Sequence, residues 1–199
     1  MPYTKEHKQR TRQRILKSAF ELFSRKGFDN VSIDELMKHA GLTRGGFYAH
    51  FKNKAEVYAE AIASAVDNSR LARMKPDDMD DQVWIKGLLD SYLSQEHIHA
   101  ESQICPLAFF ATDVAIRDSA VRKAYAKVYA NLNKQVAGKL AGEKNAEEAA
   151  FAVTAMMIGG LAISRVLCDG DIVDKLLGAC RKYSWLLLNS RSIENLSDW

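Results

Sequence analysis

The chain has 199 residues, 47% of them hydrophobic and 27% charged, with eleven glycines and three prolines. That balance suits one or two folded domains with a real core and excludes a disordered or low-complexity chain. The net charge is only +3, yet residues 1–54 hold twelve Lys and Arg against five acids, so a basic head precedes an acidic remainder. Such a head suits contact with phosphate, although charge alone is equally compatible with a solvated basic face.

Helix formers dominate throughout and no strand alternation is seen, which predicts an all-α chain. Residues 6–26 carry Ile15, Leu16, Ala19, Phe20, Leu22 and Phe23 on one stripe and stop at Gly27, predicting the first helix. Ser32-Ile-Asp-Glu35 is a capping box that opens a second helix with Ile33, Leu36, Met37 and Ala40 inward. Gly41 suits a left-handed C-cap, Leu42 a plug, and Thr43 an N-cap for a short third helix ending near Phe51. Asn53-Lys-Ala-Glu56 is another capping box, for a fourth helix reaching about Arg73. Two short helices joined by a tight turn after a longer one make a helix-turn-helix, whose second helix enters the major groove.

Residues 10–58 resemble the DNA-binding domain of the TetR/AcrR family of transcriptional regulators. The resemblance rests on Gly41-Leu-Thr-Arg-Gly-Gly-Phe-Tyr-Ala-His-Phe-Lys-Asn-Lys54, on Ile15 to Gly27, and on Val31 to Leu36. It implies DNA contacts at Ser32, Thr43, Arg44, Gly45, Gly46, Tyr48, His50 and Lys54. Arg44 is the candidate base reader, since a guanidinium can take guanine's two major-groove acceptors. Gly45 and Gly46 allow the backbone close to the groove. Tyr48, His50 and Lys54 are candidate phosphate anchors, with Ser32 beside them. Phe47 and Phe51 read as the inward face. Family members often carry alanine or a small β-branched residue where Gly46 stands, and a larger one at Ala49. The helix should therefore depend more on backbone fit and DNA shape. The stretch with Lys8, Arg10, Arg12 and Arg14 can either follow the DNA or lie solvated.

After Arg73 the acidic segment Met74–Asp81 reads as a linker. This predicts a DNA-binding domain over 8–68, joined by a long helix to a helical domain over 75–199. Helices are expected over about 82–95, after Pro106, from Asp118 or Ser119 to about Leu140, after an Asn145 cap, and from an Asp171 cap to about Asn189. Ala149 to Ser164 carries no charge for sixteen residues, which is short of the roughly 20 that span a bilayer. It is therefore read as buried all round, with no membrane partner. Gly159, Gly160, Ala162 and Ser164, with Leu176, Leu177, Gly178, Cys180, Trp185 and Leu188, are the candidate dimer face.

The resemblance also implies a homodimer through the last two helices, a palindromic DNA operator and a ligand-responsive repressor. Candidate ligand-binding residues are Trp84, Leu88, Tyr92, Phe109, Phe110, Tyr129, Met156 and Met157, which suit a small apolar or aromatic ligand. Helical spacing alone would make the same residues ordinary core. His97 and His99 are expected on a surface loop. Cys105, Cys168 and Cys180 have no metal-ligand spacing, so no metal and no cofactor is expected, and the odd number suits a reducing compartment. The polar N-terminus lacks an export signal, and the reading is cytoplasmic. No phosphate loop, nucleophile triad or zinc spacing suggests an enzyme. The alternatives are a non-specific architectural DNA binder and, with no motif to support it, a small helical enzyme.

Overall fold

The computed structural model describes residues 4–67, 79–99, 105–140 and 145–189. Ten helices and no strand occur among them. They are α1 Lys5–Lys26, α2 Ile33–His39, α3 Arg44–Ala49, α4 Lys54–Asp67, α5 Asp81–Tyr92, α6 Gln95–His99, α7 Pro106–Ala115, α8 Ser119–Gly138, α9 Ala146–Ser164 and α10 Gly170–Asn189. The expected end of the fourth helix at Arg73 and most of the acidic linker lie outside the described residues.

Two compact units form, one from residues 1–72 with 104–128 and one from 73–103 with 129–199. This grouping differs from a linear division at 68–75. The reason is α7, which packs on α1 and α4: the Phe110 ring meets Phe20 at 5.6 Å and Tyr58 at 5.3 Å, both edge-on. The core of the first unit comprises Ile15, Ala19, Phe23, Leu36, Met37, Phe47, Phe51, Val57, Tyr58 and Ile62, all at most 2% exposed. Helix α8 gives its first half to this unit and its second half to the other.

In the second unit α9 packs along α10, and α5 packs on both. Helix α9 is long and apolar enough, by length and composition alone, to cross a membrane. Here it buries Ala150, Val153, Met157 and Leu161 in its own unit. The candidate dimer residues divide. Gly160, Ser164, Leu177 and Leu188 face inward, and a Cβ at Gly160 would stand 3.0 Å from Cys180 Sγ and 3.1 Å from Leu93 Cδ2. Gly159, Ala162, Leu176, Gly178, Cys180 and Trp185 are half-buried, and the exposed apolar positions on the same helices are Phe151, Ala152, Ala155 and Ile163 on α9, and Ile172, Ala179, Tyr183 and Leu186 on α10.

Local signals explain most boundaries. Gly27 at φ 75° ends α1. Pro106 starts α7, where a missing N–H costs nothing. Two caps and one loop differ from expectation. Asp169 rather than Asp171 caps α10, accepting from the N–H groups of Asp171 and Ile172 at 2.9 and 3.2 Å. The Asn145 side chain makes no capping bond. Residues 95–99 form a short helix rather than a loop, with His97 half-buried and its Nδ1 2.8 Å from the Tyr92 carbonyl.

Candidate nucleic-acid interface

The head is built outward from two caps. Ser32 Oγ accepts from the Glu35 N–H at 3.1 Å, and the Glu35 carboxylate bonds Lys26 at 2.5 Å. The Lys26 hydrogen bond holds the Glu35 carboxyl below its ordinary range. At the other end of α2, Gly41 sits at φ 66°, its N–H donates to Lys38 O at 3.0 Å, and the Leu42 N–H donates to Met37 O at 2.8 Å. This is a Schellman turn, which turns the chain sharply while satisfying helix-end carbonyls. Buried Ser18 locks α1 to the same region, donating to Leu36 O at 2.9 Å with His39 Nδ1 also at 2.9 Å. Arg14 reaches Ala40 O at 2.8 Å.

The segment after the turn is a single short 3-10 helix, with Thr43 at its N-cap but without a side-chain capping bond. Two adjacent glycines and an unused cap weaken the α form here. Side chains hold the segment instead. Phe47 is 0% exposed and Phe51 2%, with ring centroids 5.7 Å apart. Thr43, Arg44, Gly45, Tyr48, Ala49 and Lys52 are exposed, and Gly46 is half-buried against Met37. Arg44 Nη1 donates to Asp34 Oδ2 at 2.8 Å.

Three basic groups have inward partners that the sequence did not reveal. Arg12 binds Glu60 through Nη2 at 2.5 Å, donates to the His50 carbonyl, and stacks 4.2 Å above the Phe51 ring. It is a clamp for the head, as is Arg14, whereas Lys8 and Arg10 stay exposed on α1. Lys54 Nζ donates to Phe28 O at 2.7 Å and Val31 O at 2.9 Å, and sits 4.2 Å from the Phe28 ring. Burial lowers the Lys54 pKa from its ordinary value. Its ammonium is therefore largely committed to the loop between α1 and α2, which changes its expected part in DNA contact.

His50 is half-buried, and its Nδ1 is buried without a hydrogen-bond partner. Burial, with Lys8 and Arg12 nearby, pushes its pKa down. The folded chain thus holds this proton less tightly than the unfolded one, and acid favours unfolding. Stability should fall as pH drops through about 6.5, the ordinary imidazole value. Thermal melts of the DNA-free protein between pH 8 and 5 should show this fall, and His50→Gln should flatten it. An identical slope in the variant would contradict this assignment.

The candidate ligand residues fall in both compact units. Phe109 and Phe110 belong to the first unit and the other six to the second. Trp84, Leu88, Tyr92 and Met157 are buried, and Tyr129 and Met156 half-buried. Two surface grooves, of about 200 and 380 Å³, are lined by none of the eight. Near Tyr129, however, buried polar groups meet: its hydroxyl lies 3.3 Å from Thr154 Oγ1, which donates to Asn133 Oδ1 at 2.9 Å. Asn133 Nδ2 and Trp84 Nε1 are buried without partners.

Comparison with known proteins agrees with this architecture. Residues 15–61 match the family model "Bacterial regulatory proteins, tetR family", and residues 85–176 match "Transcriptional regulator LmrA/YxaF-like, C-terminal domain". The regulator AcrR of Shigella flexneri is 47% identical over 57 residues, which is 29% of this chain and 26% of that protein. The regulator TtgR of Pseudomonas putida is 30% identical over 193 residues, covering 90% of each chain. The reduced form of Escherichia coli NemR shares the fold, with TM-score 0.74 at 16% identity over 87% of this chain and 96% of that one. With a helix-turn-helix head, an all-helical body and a full-length relative, the chain belongs to the TetR family of DNA-binding transcriptional regulators and is not an enzyme.

Proposed function

We propose that the protein is a ligand-responsive repressor that binds a palindromic operator as a homodimer in the cytoplasm. The observation that carries the DNA-binding part is the α3 segment. It exposes Thr43, Arg44, Gly45 and Tyr48 together while Phe47 and Phe51 are buried behind them. On this reading Arg44 meets a base edge, Gly45 and Gly46 admit the backbone, and Ser32, Thr43, Tyr48 and His50 meet phosphates. With its Nδ1 buried, His50 has Nε2 left for that contact. Lys54 contributes mainly by holding the loop. All these residues fall within 8–68, and the dimerisation and ligand-binding residues within 75–199.

The exposed apolar faces of α9 and α10 support pairing through the last two helices, since Phe151, Ile163, Ile172, Tyr183 and Leu186 are each about half exposed. Two copies would set two heads on successive turns of one DNA face. Within the body, the unpartnered donors of Trp84 and Asn133 support a small apolar or aromatic ligand that carries an acceptor. A buried donor left without a partner costs about 1–3 kcal/mol. The test is Arg44→Ala. Discrimination at one operator base pair should fall by about 1–3 kcal/mol, read by selection from random duplexes. An unchanged base preference would remove Arg44 as reader.

A further inference from the structure

We propose that Asp34 is a specificity-determining residue that makes Arg44 a reader of bases rather than an anchor on phosphate. This rests on the reading of Arg44 given above. Asp34 is the second residue of α2, and its Oδ2 accepts from Arg44 Nη1 at 2.8 Å across the turn. The capping of α2 does not need it, because Ser32 and Glu35 perform that function and Glu35 also holds Lys26. The Asp34 and Arg44 side chains remain 58% and 64% exposed, so the pair adds little to stability. Its effect is on geometry and sign.

A guanidinium has five N–H donors in a rigid fork. One is taken by Asp34, which restricts the long, rotamer-rich side chain and leaves the other donors for a partner with two acceptors. Guanine O6 and N7 form such a partner. A phosphate would suit the same fork, but there the Asp34 carboxylate would be drawn against a second anion. At a base edge the penalty is absent, and the cytosine N4 amine is a donor that a carboxylate can accept. Asp34 thus lowers affinity for DNA that lacks the correct base pair and spares DNA that has it, which is how a repulsive element creates discrimination.

The experiment compares full-length wild type, Asp34→Ala, Asp34→Asn, Arg44→Ala and the double variant. Each is read by selection from random duplexes and by competition between the selected operator and random DNA at one salt concentration, after melts show that each is folded. Asp34→Ala should raise affinity for random DNA about threefold and lower the operator-to-random ratio about tenfold. It should relax the same base position as Arg44→Ala, and the double variant should lose no more there. Asp34→Asn, which keeps an acceptor without the charge, should fall between. If Arg44→Ala relaxes a position and Asp34→Ala keeps the ratio within about twofold, or weakens all sequences alike, the proposal is overturned while Arg44 stands as reader. If Arg44→Ala relaxes nothing, the reading of Arg44 falls and the proposal with it.

Discussion

Phe47→Ala should destabilise the protein by about 3–5 kcal/mol, the usual cost of emptying a fully buried phenylalanine site. Phe47 is 0% exposed and meets Tyr48 edge-on at 5.3 Å and Phe51 at 5.7 Å. The segment carrying it spans only six residues, contains Gly45 and Gly46, and lacks a side-chain cap. Nothing local compensates for the lost ring. The expected fall in Tm is about 6–20 °C for a chain of this length. Operator and random DNA should weaken together, because the whole exposed face loses its support. Thermal melts and binding to both DNAs would check this, and a Tm within about 2 °C of wild type would refute the plug role.

Arg117→Ala is the second large effect, with an expected loss of about 2–3 kcal/mol from several charge-assisted hydrogen bonds. Arg117 forms a fork with Asp29 at 2.9 and 2.8 Å, bonds Asp113 at 2.6 Å, and stacks 4.6 Å from the Phe28 ring. Tyr58 donates to the same Asp113 at 2.6 Å. Burial acts to raise the Asp113 pKa, but the bonds from Arg117 and Tyr58 outweigh it, so this carboxyl lies below its ordinary value. The hydrogen bond from Arg117 lowers Asp29 likewise. Groups lowered in this way stabilise the fold above the ordinary carboxylate pKa of about 4 and lose that contribution as pH falls through the lowered values. The variant should therefore lose stability at neutral pH and show less further loss in acid. Arg117→Lys should recover only part, because an ammonium cannot replace the fork. A neutral-pH melt equal to wild type would contradict the clamp.

Much of the head was legible because its signals are local. Gly27, the Ser32 and Glu35 box, the Gly41 turn and the Asn53 cap act within a few residues of themselves; the Glu56 N–H indeed donates to Asn53 Oδ1 at 2.8 Å. The hidden parts depend on groups distant in sequence. Nothing near Lys54 indicates that the carbonyls of Phe28 and Val31 would hold it, and nothing near Arg12 indicates Glu60. Gly45 and Gly46 carry low helix propensity, but the Thr43 cap expected from the sequence favoured an ordinary helix, and that capping bond is not made. In α9 the apolar residues surround the axis, so periodicity could not choose a face. The side-by-side packing on α10 does, turning Gly160 toward Cys180 and leaving Phe151 and Ile163 outward.

The exposed α3 face should recognise one DNA sequence. The most direct measurement is competition at one salt concentration between a duplex selected from random sequence and an unselected duplex of equal length. Preference for the selected duplex should be at least about a thousandfold, with the selected site palindromic. Equal affinity for the two would contradict the account and leave a non-specific DNA binder.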